Sequence, residues 1–123
     1  MTAYSNLAYA QPTTAVKTPR SAEYYVIAGV TRRLSAASAR RKTDYPAFAT
    51  ALSDNELLWS TLAADVAMEG NGLPPALRAR LFYLYRFTTE HSRKIRAGMA
   101  SPEVLVDINT AVLRGLRGEG TSE

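Results

Sequence analysis

Residues 45–68 read YPAFATALSDNELLWSTLAADVAM, and this stretch decides the fold. Projected at about 100° per residue, the side chains that mark its inner face fall in a stripe roughly 80° wide. The stripe consists of Phe48, Leu52, Asn55, Trp59, Leu62 and Val66. A helix of this length cannot cover so narrow an apolar stripe by itself, so other helices must surround it. The stretch therefore predicts the central helix of an all-α bundle.

Start and stop signals predict three further main helices around this one. Thr18-Pro19 and Ser101-Pro102-Glu103 each place a capping hydroxyl before a proline, which is typical of a helix start. Gly70-Asn71-Gly72 and Gly98 are typical of helix ends, because glycine and asparagine tolerate a left-handed backbone. The four main helices are predicted over 18–42, 45–68, 75–97 and 102–117.

The N-terminal residues have a different character. Residues 2–10 predict a short helix that presents Tyr4 and Leu7 on one side, with Tyr9 further round, and residues 11–17 have the composition of a linker. So short a helix is marginal alone, and we expect it to be mobile unless it docks or a partner orders it. The predicted organisation is a single helical domain over 1–123: N-terminal segment and linker (1–17), compact bundle (18–117) and frayed tail (118–123).

Composition sets the class of protein. With 46% hydrophobic and 21% charged residues, the chain is typical of a globular protein rather than a disordered one. It has no cysteine, which excludes a disulfide scaffold and fits a reducing compartment. No run of about 18 apolar residues occurs, and the first residues lack the features of a secretory signal. We therefore expect a cytoplasmic protein that does not associate with a membrane.

The chain is basic, with a formal charge of +4 and a pI near 9.6. Such a balance can indicate nucleic acid, but it is also an ordinary solubility charge, which we favour. The cluster over 40–42 is interpreted as cations at the negative end of a helix dipole. The nearest approach to an RNA platform is Arg78, Arg80, Tyr83, Arg86 and Phe87. Because Arg78 and Arg86 project about 80° apart on a helix, this signal is weak.

No arrangement of residues indicates catalysis. A hydrolytic or metal site needs several convergent ligands or a nucleophile with its base. His91 is the single histidine and lies among apolar positions, where a hydrogen-bonded core residue is the ordinary interpretation. The carboxylates are scattered along the chain. We expect no enzymatic activity, no metal and no cofactor.

Polar residues interrupt three of the apolar stripes near their middles: Asn55, His91 with Thr88, and Asn109. An unpaired buried amide costs roughly 1–3 kcal/mol, so these residues need partners. One interpretation is a hydrogen-bonded network that fixes the register of the helices. The other is that the stripes line a groove for an amphipathic helix of another protein.

Several aromatic residues fall outside the apolar stripes of their helices: Tyr25, Phe82, Tyr83, Tyr85 and Phe87. Aromatic side chains often anchor protein interfaces, so this group indicates a protein-binding surface. The alternative is ordinary burial under a neighbouring helix.

The order of motifs along the chain resembles the FlaF family of flagellar biosynthesis regulators. The shared motifs are Ala3-Tyr4, Pro19-Arg20, Glu23-Tyr24, Ala51-Leu52-x-x-Asn55-x-x-Leu58-Trp59, Asp65, Asn71-x-Leu73-Pro74, Leu77-Arg78, His91, Leu105-x-Asp107-Ile108-Asn109 and Gly115-Leu116. The resemblance covers nearly the whole chain. It implies a cytoplasmic protein of alphaproteobacterial type that binds flagellin and promotes its synthesis or export. It also implies action alongside FlbT, a regulator of flagellin translation.

Together, the aromatic surplus and the resemblance predict a flagellin-binding chaperone and regulator. The predicted partner-binding residues are Tyr4, Leu7, Tyr9, Arg20, Glu23, Tyr24, Tyr25, Phe82, Tyr83 and Phe87. Arg20 and Glu23 are expected to set the docking angle by charge. Two alternatives stay open: an RNA-binding regulator of flagellin message, and an adaptor that bridges FlbT to other components.

Overall fold

Four helices follow one another in the computed structural model, which describes residues 19–119 and the side chains of 22–116. They are α1 (Pro19–Ala39), α2 (Tyr45–Ala67), α3 (Pro75–Arg96) and α4 (Glu103–Glu119). No strand occurs between residues 19 and 119, and the predicted all-α fold is confirmed. The short helix predicted over 2–10 lies outside the described residues, as does most of the predicted tail.

Local signals account for most helix ends. The Asp44 side chain caps α2 by accepting a hydrogen bond from the Ala47 N–H at 3.3 Å, and the helix runs unbroken to Ala67. Gly70, Gly72 and Gly98 have φ values of 81°, 93° and 75°. These left-handed conformations end α2 and α3 where the glycines predicted it.

The start of α4 also follows its motif. The Ser101 hydroxyl accepts a hydrogen bond from the Glu103 N–H at 3.2 Å and donates one to the Glu103 carboxylate. That second hydrogen bond is the main reason why the pKa of Glu103 lies below its usual value. The capped start predicted at these residues is confirmed.

The end of α1 differs from its prediction. The helix ends at Ala39, three residues before the predicted Lys42, and Arg40, Arg41 and Lys42 lie in the following turn. Arg41 Nη1 still donates to the Ser38 carbonyl at 2.7 Å. The cation therefore does satisfy the end of the helix, from outside it rather than from its last turn.

The pattern of helix packing is uneven. α1 packs against both α2 and α4, and α3 packs against α2, whereas the backbones of α3 and α4 do not pack closely together. Successive helices run in opposite directions, because the end of α1 meets the start of α2, and the end of α3 meets the start of α4. We call the end of the bundle where α1 begins the open end, and the opposite end the closed end.

The core consists of two hydrophobic clusters. At the closed end are Leu34, Ala37, Phe48, Ala51, Leu52, Ile95 and Leu105. Nearer the open end are Val26, Ile27, Val30, Leu58, Trp59 and Leu62. The expectation that Val26 points away from the core is wrong, since only 8% of it is exposed. α1 lies between two neighbours, so its buried face is wider than one stripe.

A hydrogen-bonded network separates the two clusters. The Asn109 amide is its centre: Oδ1 accepts from Trp59 Nε1 at 2.9 Å, and Nδ2 donates to Asn55 Oδ1 at 2.8 Å and to Thr31 Oγ1 at 3.1 Å. The Thr31 hydroxyl in turn donates to the Ile27 carbonyl at 2.7 Å. The interpretation of Asn55 and Asn109 as members of a register-fixing network is therefore confirmed.

His91 does not belong to this network. Its Nε2 lies 2.9 Å from the Ser101 carbonyl oxygen, and the Thr88 hydroxyl donates to the Tyr85 carbonyl of its own helix. The expected polar contribution from α3 is therefore wrong for both residues. The buried polar residue that faces inward is Ser92, which the stripe did not include. Its Oγ and Asn55 Nδ2 have no hydrogen-bond partner among the described residues.

The ion pairs on the solvent side of α3 also differ from the prediction. Arg86, Glu90 and Lys94 were expected to pair at a spacing of four. Glu90 instead forms its ion pair with Arg93, and that hydrogen bond holds the pKa of Glu90 below its usual value. A spacing of three serves as well as four on a helix surface.

We expect Trp59→Ala to lower the free energy of unfolding by about 3–5 kcal/mol, because it removes a large core side chain that is only 1% exposed. It also leaves Asn109 Oδ1 without its donor. Urea unfolding followed by circular dichroism measures the change. The control is Leu57→Ala on the exposed side of α2, with an expected change within about 0.5 kcal/mol. Equal effects of the two substitutions would contradict the assignment of Trp59 to the core.

Candidate functional site

A cleft of about 230 Å³ lies between α3 and α4 at the open end. Its floor is apolar and consists of Ile27, Leu62 and Val66. The α3 wall carries three leucines at helical spacing, Leu77, Leu81 and Leu84. The α4 wall combines small and aliphatic residues: Ala111, Val112, Gly115 and Leu116.

The cleft exists because α3 is attached to α2 rather than to α4. Near the open end, Arg78 Nε donates to the Val66 carbonyl at 2.9 Å. Towards the closed end, Arg96 Nη2 donates to Glu56 Oε1 at 2.6 Å. α3 meets the α4 side of the bundle at the closed end, where His91 contacts Ser101. Its flank towards α4 is therefore left uncovered at the open end.

The rim of the cleft carries charge of both signs. Glu23 of α1, Asp65 of α2 and Arg80 of α3 contribute to the lining. Asp65 Oδ2 accepts a hydrogen bond from Asn71 Nδ2 at 3.0 Å, which ties the rim to the turn after α2. A ligand in the cleft would contact mainly apolar side chains, with these charges at the edge to orient it.

The predicted aromatic residues of α3 divide between two sides of that helix. At about 100° per residue, Phe87 and Tyr83 lie roughly 20° and 60° from Arg80, on the flank towards the cleft. Tyr83 is 65% exposed, and the Phe87 ring stacks on His91 with centroids 5.3 Å apart. Phe82 lies roughly 140° from Phe87, beside Tyr85 at 5.6 Å, and Tyr85 packs against the core.

The predicted residues of α1 also divide. Glu23 lines the cleft, whereas Tyr25 lies roughly 200° around the helix from it and is 53% exposed. Tyr24 is half-buried, and its ring meets that of Tyr25 edge to face at 5.6 Å. Tyr4, Leu7 and Tyr9 lie outside the described residues, as does the side chain of Arg20. The structure thus brings Glu23, Tyr83 and Phe87 to the cleft and its flank.

The family model described as flagellar protein FlaF matches residues 5–116. The chain belongs to the FlaF family. A search of curated proteins and a search of solved structures each found no match. The match spans the polar network and every residue that lines the cleft, so both features lie in the part of this FlaF chain that defines the family.

Sequence reasoning missed the cleft itself. Leu77, Leu81 and Leu84 were predicted as a stripe, but a stripe does not reveal whether a neighbouring helix covers it. A signal was present in α4, where Ala111 and Gly115 are four apart and adjoin the apolar stripe. The position that a Cβ would take on Gly115 has nothing within 4 Å. Such small residues permit the close approach of another helix.

The described part of this FlaF chain offers little for other chemistry. No three His, Asp or Glu residues between 22 and 116 are grouped so that they could hold a metal ion. Within the same part, no helix combines the length and the apolar character needed to cross a membrane. The weak RNA platform divides as well, since Arg78 is bonded to the end of α2 while Arg80 lines the cleft.

We expect Gly115→Leu to leave the fold intact and to raise the free energy of unfolding by up to about 1 kcal/mol, because leucine favours a helix over glycine. The new side chain enters the cleft rather than the core. Thermal unfolding measures the effect. Gly98→Leu is the matched control, because its φ of 75° is strained for leucine and should cost about 1–2 kcal/mol. If Gly115→Leu destabilised the protein as much as Gly98→Leu, α4 would not have the described wall.

Proposed function

We propose that this chain is a cytoplasmic flagellin-binding chaperone and regulator, which promotes the synthesis or secretion of flagellin during flagellum assembly. In this proposal, the α3–α4 cleft receives an amphipathic helix from a terminal segment of flagellin. The observation that carries the proposal is the open apolar cleft between two helices, in a member of a flagellar protein family.

Flagellin is a suitable partner on physical grounds. Its terminal segments are amphipathic helices that pack together in the filament, so their apolar faces need cover before export. A helix that enters the cleft places its anchors against the leucines of α3 and the aliphatic residues of α4. The small side chains of Ala111 and Gly115 allow its backbone to lie close to α4.

Magnitudes indicate that the cleft needs help from its surroundings. Burying three aliphatic anchors gains roughly 5–9 kcal/mol. Association costs about 4–15 kcal/mol in lost freedom, so the anchors alone roughly offset that cost. Contacts at the rim must therefore supply part of the net affinity. Tyr83 and Phe87 on the α3 flank are placed to do so, and Glu23 and Arg80 can orient a partner by charge.

The other predicted contacts extend this surface. Tyr4, Leu7 and Tyr9 belong to the segment that precedes α1, whose first residues lie at the open end beside the cleft. In the complex, this segment covers the outer side of the bound helix, next to Arg20. Tyr24, Tyr25 and Phe82 lie further round, so their contacts require a partner broader than one helix. FlbT is a possible second partner by resemblance to the family.

We expect Gly115→Leu to weaken binding of monomeric flagellin by about tenfold or more, because the leucine occupies space that a partner helix needs and one lost anchor contact costs about 1.4 kcal/mol or more. Isothermal titration calorimetry measures the affinity. The control is Ala79→Leu, which adds a leucine to the exposed side of α3 away from the cleft. Unchanged affinity of the Gly115→Leu protein would contradict the cleft as the binding site.

We expect the triple variant Tyr4→Ala, Tyr9→Ala and Tyr83→Ala to lose flagellin affinity while its circular dichroism spectrum stays that of the parent protein. The substitutions remove aromatic contacts around the bound helix without reaching the core. If the fold is intact and the affinity is unchanged, these residues do not form the contact.

Two results would favour the alternatives. Binding of a flagellin leader RNA that weakens steeply with salt would indicate an RNA-binding regulator. Co-purification with FlbT, without any binary complex with flagellin, would indicate an adaptor.

A further inference from the structure

The chain enters the bundle beside the cleft. α1 begins at Pro19, and Glu23 and Ile27, one and two turns further on, line the cleft. At 1.5 Å per residue, Glu23 lies only about 6 Å along the helix axis from Pro19. Residues 1–18 therefore leave the bundle at its open end.

The chemistry of these residues suits an apolar site. Residues 1–16 contain no Asp, Glu, Lys, Arg or His, although 21% of the whole chain is charged. Burying such a segment needs no desolvation of a charged side chain. Tyr4, Leu7 and Tyr9 supply large side chains for a cleft whose walls are mostly leucine, valine and small residues.

The lengths also agree. A helix over 2–10 would be about 13 Å long, and the α3 wall from Leu77 to Leu84 is about 10 Å long. Residues 11–18 can span up to roughly 26 Å when extended, which is enough for the chain to turn back along α1. The segment can thus reach the whole cleft.

We infer that residues 2–10 occupy the α3–α4 cleft in the free protein and cover its leucines until a partner helix displaces them. The displacement step rests on the proposed function, whereas the occupancy does not. A tethered segment has an effective local concentration in the millimolar range, which favours docking. A nine-residue helix is marginal by itself, so this occupant is weak and yields to a longer helix.

The absence of cysteine from the chain permits a direct test by disulfide formation in the full-length protein. The test variant carries Ala8→Cys, which keeps Tyr4, Leu7 and Tyr9, together with Ala111→Cys in the α4 wall. The control carries Ala8→Cys with Ala64→Cys. Ala64 is also an exposed alanine near the open end, but it lies on the outer side of α2, away from the cleft. Oxidation with glutathione is followed by mass spectrometry.

The intramolecular disulfide to position 111 should form about tenfold faster or more than that to position 64, because docking raises the local concentration beyond that of the tether alone. Monomeric flagellin in excess should slow the reaction at position 111 and leave position 64 unaffected. Equal rates without flagellin would overturn the inference, as would a disulfide between two copies whose rate rises with protein concentration.

The two proposals fail separately in this design. If the disulfide to position 111 forms preferentially but flagellin neither binds nor slows it, the segment occupies the cleft and the proposed partner is wrong. If flagellin binds and Gly115→Leu prevents it, while positions 111 and 64 react equally, the cleft binds flagellin and the inference about residues 2–10 is wrong.

Discussion

The side-chain amide of Asn109 is the contact on which the rest of the structure depends. Through its oxygen and both hydrogens it joins α4 to Trp59 and Asn55 of α2 and to Thr31 of α1. All four residues are buried, so each partner that was removed would leave a polar group without water. The network therefore allows one register for these three helices, and the two hydrophobic clusters pack above and below it.

α3 takes no part in that network. It is held to α2 by packing and by the side chains of Arg78 and Arg96, and it meets the start of α4 through His91. This division explains the cleft. α4 is positioned by its hydrogen bonds to α1 and α2, α3 is positioned by α2 alone, and no interaction draws the two together at the open end. The apolar surface that remains between them is the feature that best connects this fold with binding another helix.

The four helices were predictable because their signals are local. Proline, glycine and capping residues act within a turn or two, and the stripe through Trp59 repeats in register over the length of α2. The resemblance to the FlaF family, which rests on motifs spread along the chain, was equally visible in the sequence. The cleft was not, because periodicity identifies which face of a helix is apolar but not which neighbour covers it. Val26 and His91 were misassigned for the same reason: the first lies under two neighbours, and the second faces a loop carbonyl that no pattern within α3 specifies.

The different attachment of the two walls has a mechanical consequence. Moving α4 would break hydrogen bonds at the centre of the core, whereas a small displacement of α3 disturbs mainly surface contacts such as the ion pair between Arg96 and Glu56. Local stability in proteins is rarely uniform, and the least costly movement uses the element with the fewest buried polar ties. The width of the cleft is thus adjustable from one side only, by a helix that can shift while the other three stay in register. Guests of slightly different thickness can be accommodated in this way without a rearrangement of the core.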